Sequence, residues 1–283
     1  MGHVEELLRI NATNSAPTIT LFMPVTRRWR VYAIAKMLAG LNTEGLKVEV
    51  LLLIDSPAVK DNAILDAFEK YEVPLAYTIR HTGNDLPSET KIAERRTRIK
   101  EMLEKAQKLI GDTDFVFMVE DDTEIQPNAL QNLIENYRNL TNAGAPVGII
   151  SGVQVGRWGY RMIGGWRVDD INEPKHVATI PFNRSAILEK IDGSGLYCYL
   201  VPTALFKAHK WYWHDVCFSV DMTFGLELRR QGYQNYIDWT IVAGHVMDNG
   251  NVLVPNEKCQ VVEFEQNDEG VWGTVYKDKG VTS

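Results

Sequence analysis

The chain is poor in cysteine. Three occur in 283 residues, Cys198, Cys217 and Cys259, widely spaced, odd in number and without a CxxC pair. That argues against a disulfide framework or a cysteine zinc site, and it fits a reducing compartment. An excess of positive charge is also missing. Thirty Lys and Arg face 37 Asp and Glu, giving a net charge of −7, so attraction to polyanions is not the default expectation. No apolar run reaches 18 residues, and MGHVEELLRI at the start carries acids. Neither a signal peptide nor a membrane helix is predicted. A cytoplasmic protein is expected, in the host cytoplasm if the source is viral. Without a secretory signal the sequons at Asn11, Asn139 and Asn183 carry no weight. What is present is ordinary globular composition, 45% hydrophobic and 24% charged.

The first half alternates strand-like and helix-like segments. TITLFMPV (18–25) reads as a strand ended by Pro24, and Val31, Ile34, Leu38 and Leu41 follow helical spacing up to Gly40 or Gly45. VEVLLLID (48–55), FVFMV (115–119) and VGIISGV (147–153) are continuous apolar runs, the mark of strands buried on both faces. Helices are predicted over 61–70, 88–110 and from Pro127 onward, where Ala129, Leu130, Leu133, Ile134, Tyr137 and Leu140 form one apolar face, and a short strand over 75–80. This pattern predicts an α/β fold with a central, mostly parallel sheet flanked by helices. The second half is richer in Gly, Trp and Tyr. Residues 156–170 read as loop, and a helix over 221–231 stops at Gly232. One domain is expected, with a nucleotide-type first half at 18–150, an irregular second half at 151–250 and a C-terminal extension at 251–283.

The stretch FVFMVEDDTEIQP (115–127) sets Glu120, Asp121, Asp122 and Glu124 directly after a buried strand. Ligands of open α/β sheets bind beyond the carboxyl ends of the strands. Hard divalent cations take carboxylate oxygens, and magnesium is usually shared with substrate phosphates. A metal with a diphosphate on its far side would therefore offset the four charges. The alternative is a solvated acidic loop at the N-terminus of the following helix. An EF-hand is excluded, because its D-x-[DN]-x-[DN]-G spacing is absent.

An apolar strand, an acidic triplet and a proline-started helix, in this order, resemble the DxD region of nucleotide-sugar glycosyltransferases with the GT-A (Rossmann-like) fold, in particular the large inverting, family-2-like group. The resemblance implies that Asp122 binds Mn²⁺ or Mg²⁺, that Glu120 contacts the donor ribose and that Asp121 supports them. The Glu in the first position departs from the pattern. PVTR (24–27) is similar to the opening strand and its nucleotide loop, so Pro24, Thr26 and Arg27 are assigned to the donor, most simply a UDP-sugar. Asp55, which ends the second strand, matches the acid that meets the base; the alternative is an Asx-type turn or a helix N-cap.

Independently of the family, Arg95 and Arg96 lie on the apolar stripe of helix 88–110, and buried arginines need anionic partners. The resemblance favours Arg95 for the donor. IDGSGLYCYLVP (191–202) is similar to the acceptor-side glycine loop, which assigns Gly193, Ser194 and Gly195. CFSVDMTFGLELRRQGY (217–233) resembles the catalytic-acid motif, with Asp221 as the base of an inverting transfer and Val220 in place of the commoner Glu; otherwise Asp221 caps its helix. IVAGHV (241–246) resembles the late strand whose histidine, His245, completes the metal shell; otherwise His245 is structural.

The aromatics Trp158, Tyr160, Trp166, Trp211, Tyr212 and Trp213, beside Arg157, Arg161 and Arg167, suit stacking on sugars or bases. Trp158 and Trp213 are the candidate acceptor contacts. The acceptor alternatives are a glycan, a small molecule or a hydroxymethylated base of DNA, and a retaining reaction is the alternative to inversion. Two rival classes differ. A sugar-nucleotide pyrophosphorylase expects a glycine-rich loop where PVTRRWR (24–30) has no glycine. A non-catalytic sugar-nucleotide-binding module would leave Asp122 and Asp221 replaceable.

Overall fold

The computed structural model describes residues 15–83, 92–156, 161–213, 219–267, 269 and 271–275. Trp158, Tyr160, Arg157 and Cys217 lie outside the described residues. The apolar runs become β1 (Thr18–Val25), β2 (Lys47–Ile54), β4 (Phe115–Val119) and β6 (Val147–Val153), joined by β3 (Ala76–His81), β9 (Leu188–Ile191), β11 (Cys198–Pro202) and β12 (Gln234–Val242). These eight form one sheet in the order β3-β2-β1-β4-β11-β6-β12-β9. Its β3-β2-β1-β4 half is parallel throughout. β11 then runs antiparallel between β4 and β6. The α/β class and the mostly parallel sheet are as expected.

Helices cover both faces. Side chains alternate along β1, so Ile19, Leu21 and Met23 point to one core and Phe22 to the other. The first core is closed by α1 (Val31–Ala39), α2 (Asp61–Lys70) and α4 (Ala129–Asn142). The second is closed by α3 (Ile92–Leu109), α5 (Thr203–Ala208) and α6 (Val220–Arg230). Trp211 is almost wholly buried in this second core against Phe206, His209 and Phe224. Together with buried Trp166, it belongs to the packing rather than to an exposed stacking platform.

Two details differ from the sequence pattern. Pro24 does not end β1; the strand continues to Val25. Pro24 is tolerated there because the β1–β4 ladder stops at Phe22↔Met118, so no ladder bond to β4 is lost at this position. The 156–170 stretch is not all loop. It yields β7 (Gly165–Val168), part of a second sheet ordered β10-β7-β8-β15-β16, with β10 (Gly193–Ser194), β8 (His176–Thr179), β15 (Glu263–Gln266) and β16 (Trp272–Val275). A third small sheet joins β5 (Thr123–Glu124), β13 (Gly244–Val246) and β14 (Val252–Leu253). No described helix is long and apolar enough to cross a membrane.

Candidate functional site

The acidic stretch leaves the end of β4 and meets the loop that leaves the end of β1. Asp121, almost fully buried, joins the two. Its Oδ2 accepts hydrogen bonds from the Thr26 amide (2.6 Å), the Thr26 hydroxyl (3.0 Å) and the Arg27 amide (2.8 Å). The Arg27 guanidinium pairs with Asp121 Oδ1, and Arg30 Nε donates to the Asp121 carbonyl at 2.9 Å. Arg27 also reaches Asp122 Oδ2 (3.0 Å), and Arg30 reaches Glu124 (3.3 Å). Two guanidiniums thus pair with three carboxylates of the stretch, Asp121, Asp122 and Glu124.

Asp122 is buried and faces His245 from the other half of the chain. Antiparallel pairing of β5 with β13, His245↔Thr123, brings them together, and the Val246 amide donates to the Asp122 carbonyl at 2.7 Å. His245 Nδ1 lies 2.7 Å from the Val155 carbonyl, so Nδ1 carries a proton, and Nε2 faces Asp122 Oδ2 at 3.4 Å. Histidines that ligate metals are held in this way by a backbone carbonyl. A spacing of 3.4 Å is within about half an ångström of the cis edge expected between two ligands of one octahedral ion with bonds of roughly 2.1 Å. This donor set fits a divalent cation.

Asp55 directly follows β2 in a buried position. Its carboxylate is held by the Thr82 hydroxyl and by Arg98, which also donates to the Asp55 carbonyl. On α3 the inward arginine is Arg96, not Arg95. Arg95 is exposed, whereas Arg96 is buried with its guanidinium 5.8 Å from the ring centre of Trp213. Both positions fall on the apolar stripe by spacing, and only the packing against α6 and Trp213 selects between them.

Asp221 stands in the first turn of α6, whose N-cap is Ser219; the Ser219 hydroxyl donates to the Asp221 carboxylate. Loss of solvent raises the Asp221 carboxyl above the ordinary aspartate value, opposed by the Ser219 hydroxyl, backbone amides and the Arg96 charge. A Cβ on Gly195 would lie 3.8 Å from Asp221 Oδ2 and 2.7 Å from the Tyr197 ring, so only glycine fits beside this carboxylate. Gly193 packs on the indole of Trp166, and Ser194 is buried with no hydrogen-bond partner for its hydroxyl among the described residues. Glu120, whose amide donates to the Tyr197 carbonyl at 3.2 Å, acts electrostatically with Asp221 on the buried Tyr197 and Tyr199 phenols, whose pKa values burial raises above the ordinary tyrosine value. Glu120 and Asp221 therefore flank one region.

Sequence reading missed Arg98, Arg30 and the Val155 carbonyl. The run ERRTR (94–98) was a usable signal for Arg98, because three arginines on adjoining helix positions must present more than one face. No sequence signal marks a backbone carbonyl.

No protein-family model and no curated protein matches the chain. Solved structures do. "Crystal structure of GalNAc-T7 with UDP, GalNAc and Mn2+" aligns over 82% of this chain and 44% of that chain, with a TM-score of 0.56 and 9% identity. Mannosyltransferase PcManGT from Pyrobaculum calidifontis, in complex with GDP-Man and Mn2+, aligns over 88% of this chain and 67% of that chain (TM-score 0.48, 14% identity). A197 from STIV aligns over 86% of this chain and 96% of that chain (TM-score 0.47, 12% identity). At these identities the likeness concerns architecture: the chain has a GT-A-like α/β fold.

Proposed function

We propose that the protein is a glycosyltransferase that moves a sugar from a nucleoside-diphosphate donor, a UDP-sugar in the simplest form, to an acceptor hydroxyl. The observation that carries the reading is the Asp122–His245 pair at 3.4 Å, with His245 Nδ1 anchored on Val155, at the strand ends where α/β sheets bind ligands. Asp122 and His245 would hold Mn²⁺ or Mg²⁺. When bound, the ion supplies Lewis-acid stabilisation of charge developing on the leaving diphosphate.

The chain's own residues divide the remaining work. Asp55 accepts a hydrogen bond from the base, and Arg98 and Thr82 orient it. Glu120 meets the ribose. Asp121 takes no direct part; it locks the Pro24–Arg27 segment so that Thr26 and Arg27 border the donor site. Arg96, in place of the exposed Arg95, lends positive charge on the side of Asp221. Asp221 takes the acceptor proton as general base, and the burial that raises its carboxyl makes it a better one. Gly193, Ser194 and Gly195 form the acceptor-side wall, with Trp213 as its aromatic surface. An in-line attack assisted by Asp221 gives inversion.

Incubation with a panel of nucleotide sugars and Mn²⁺, with released nucleoside diphosphate measured, tests the reading. Slow donor hydrolysis that is lost in Asp122→Ala is expected. Absence of turnover and of binding for every donor, or unchanged turnover in Asp122→Ala, overturns it.

A further inference from the structure

A second donor set lies on the five-stranded sheet, on elements the proposed transfer does not use. His176 opens β8, and Glu263 and Glu265 lie on β15. The strands are antiparallel in the register Glu263↔Ala178, Glu265↔His176. Glu265 therefore sits directly opposite His176, and Glu263 lies two residues along the same strand, so all three side chains share one face. His176 Nε2 is 3.1 Å from Glu263 Oε2 and 4.0 Å from Glu265 Oε1. One atom from each of the three residues falls within 4.8 Å of the other two.

The frame beneath them is built in. The opposite face of the same strands carries Val177 and Phe264, packed with Trp166, Met222 and Leu226. The backbone at His176 is clamped from the other side. Asp169 Oδ1 accepts the amides of Lys175 and His176 at 3.0 Å each, and the Asp169 amide donates to the His176 carbonyl at 3.2 Å. Ligand positions fixed by a supporting shell are what distinguish a binding constellation from a loose group of charges.

Charge points the same way. Glu263 and Glu265 carry like charges on one strand face, and the Glu263 side chain is only 14% exposed. A divalent ion held by the three residues would offset both charges at once. One imidazole nitrogen with two carboxylate oxygens suits a borderline ion such as Zn²⁺ better than magnesium or calcium, which prefer oxygen alone. We infer that His176, Glu263 and Glu265 form a Zn²⁺ site that fastens the C-terminal β15–β16 ribbon to β8.

Isothermal titration with ZnCl₂ tests this in the full chain carrying Asp122→Asn, which disables the Asp122–His245 pair. One Zn²⁺ per chain is expected, with a rise in Tm and slower tryptic release of the ribbon. Adding His176→Ala, or separately Glu265→Gln, should weaken binding by at least about 100-fold, since loss of outer-shell partners alone costs 10–100-fold, and should abolish the Tm response. Glu265 is half exposed, so its variant keeps the test open if His176→Ala folds poorly. Failure of Asp122→Asn protein to bind Zn²⁺, the histidine and glutamate forming an ion pair only, overturns the inference, as does unchanged affinity in Glu265→Gln. Sugar-nucleotide turnover plays no part in the readout, so this inference and the transferase reading fail separately.

Discussion

His245 Nε2 faces Asp122 Oδ2 at 3.4 Å while its other nitrogen is tied to the Val155 carbonyl at 2.7 Å. A nitrogen and a carboxylate oxygen held at this spacing suit a shared cation, and binding of that cation is the first measurement. Asp122→Ala and His245→Ala should each weaken Mn²⁺ binding by at least about 100-fold, since loss of a ligand exceeds the 10–100-fold cost of losing its supporting partner. Electron paramagnetic resonance of free Mn²⁺ reads this directly. Equal Mn²⁺ affinity in His245→Ala would remove His245 from the site.

Asp121 has the opposite character. Its hydrogen bonds to Thr26 and Arg27 serve architecture, and removing one partner of a buried ion pair costs about 3–5 kcal/mol. Asp121→Ala should lower unfolding free energy by that order in urea titration. A loss below about 1 kcal/mol would show that the β1 loop holds its place without this carboxylate.

Burial raises the Asp221 carboxyl above 3.8, and the sign of the consequence follows. The folded protein holds this proton more tightly than the unfolded chain, so the group favours folding below the unfolded value and that advantage is lost as pH rises through the folded one. Asp221→Asn should therefore raise stability at neutral pH while removing turnover. As a base, Asp221 must be deprotonated, so kcat/KM should rise with pH over the same window. A pH–rate profile that keeps this limb in the Asn variant would assign the base elsewhere.

His209 acts in acid. Burial between Trp211 and Phe224 pushes its pKa down from 6.5 to about 4, so the folded state favours the neutral ring. The stability this contributes is complete above pH 6.5 and is lost as pH falls toward 4, by up to about 3 kcal/mol. His209→Phe keeps the aromatic packing and should flatten this limb of a Tm-versus-pH curve. An unchanged limb would place the acid sensitivity in another group.

Gly225 tests the seating of α6. A Cβ there would lie 2.7 Å from both the Asp192 carbonyl and Gly193 Cα, which are backbone atoms that cannot step aside as a side chain can. Gly225→Ala should cost about 1–3 kcal/mol, the usual range for overpacking, and should reduce turnover by tilting the helix that carries Asp221. Circular-dichroism melts and initial rates check the two effects.

The strands β1, β2, β4 and β6 were legible in the sequence because a strand buried on both faces must be apolar throughout, and such runs are short and bounded. The place of the acidic stretch was legible for the same reason: charge directly after a buried strand marks the strand's end. Less could be read where one residue decides between faces. Arg95 and Arg96 are adjacent on one stripe, about 100° apart around the helix, and packing against Trp213 alone turns Arg96 inward.

The sequence by itself determined the layered α/β class, the order of its first elements and the carboxylates that end β4, because these follow from local apolar patterning. Tertiary structure decided the rest: β11 inserted antiparallel between β4 and β6, β13 paired with β5 so that His245 meets Asp122, and Arg27 and Arg30 turned onto the acids. Each of these joins segments far apart in the chain, where pairing is set by which surfaces can be buried together rather than by any local preference.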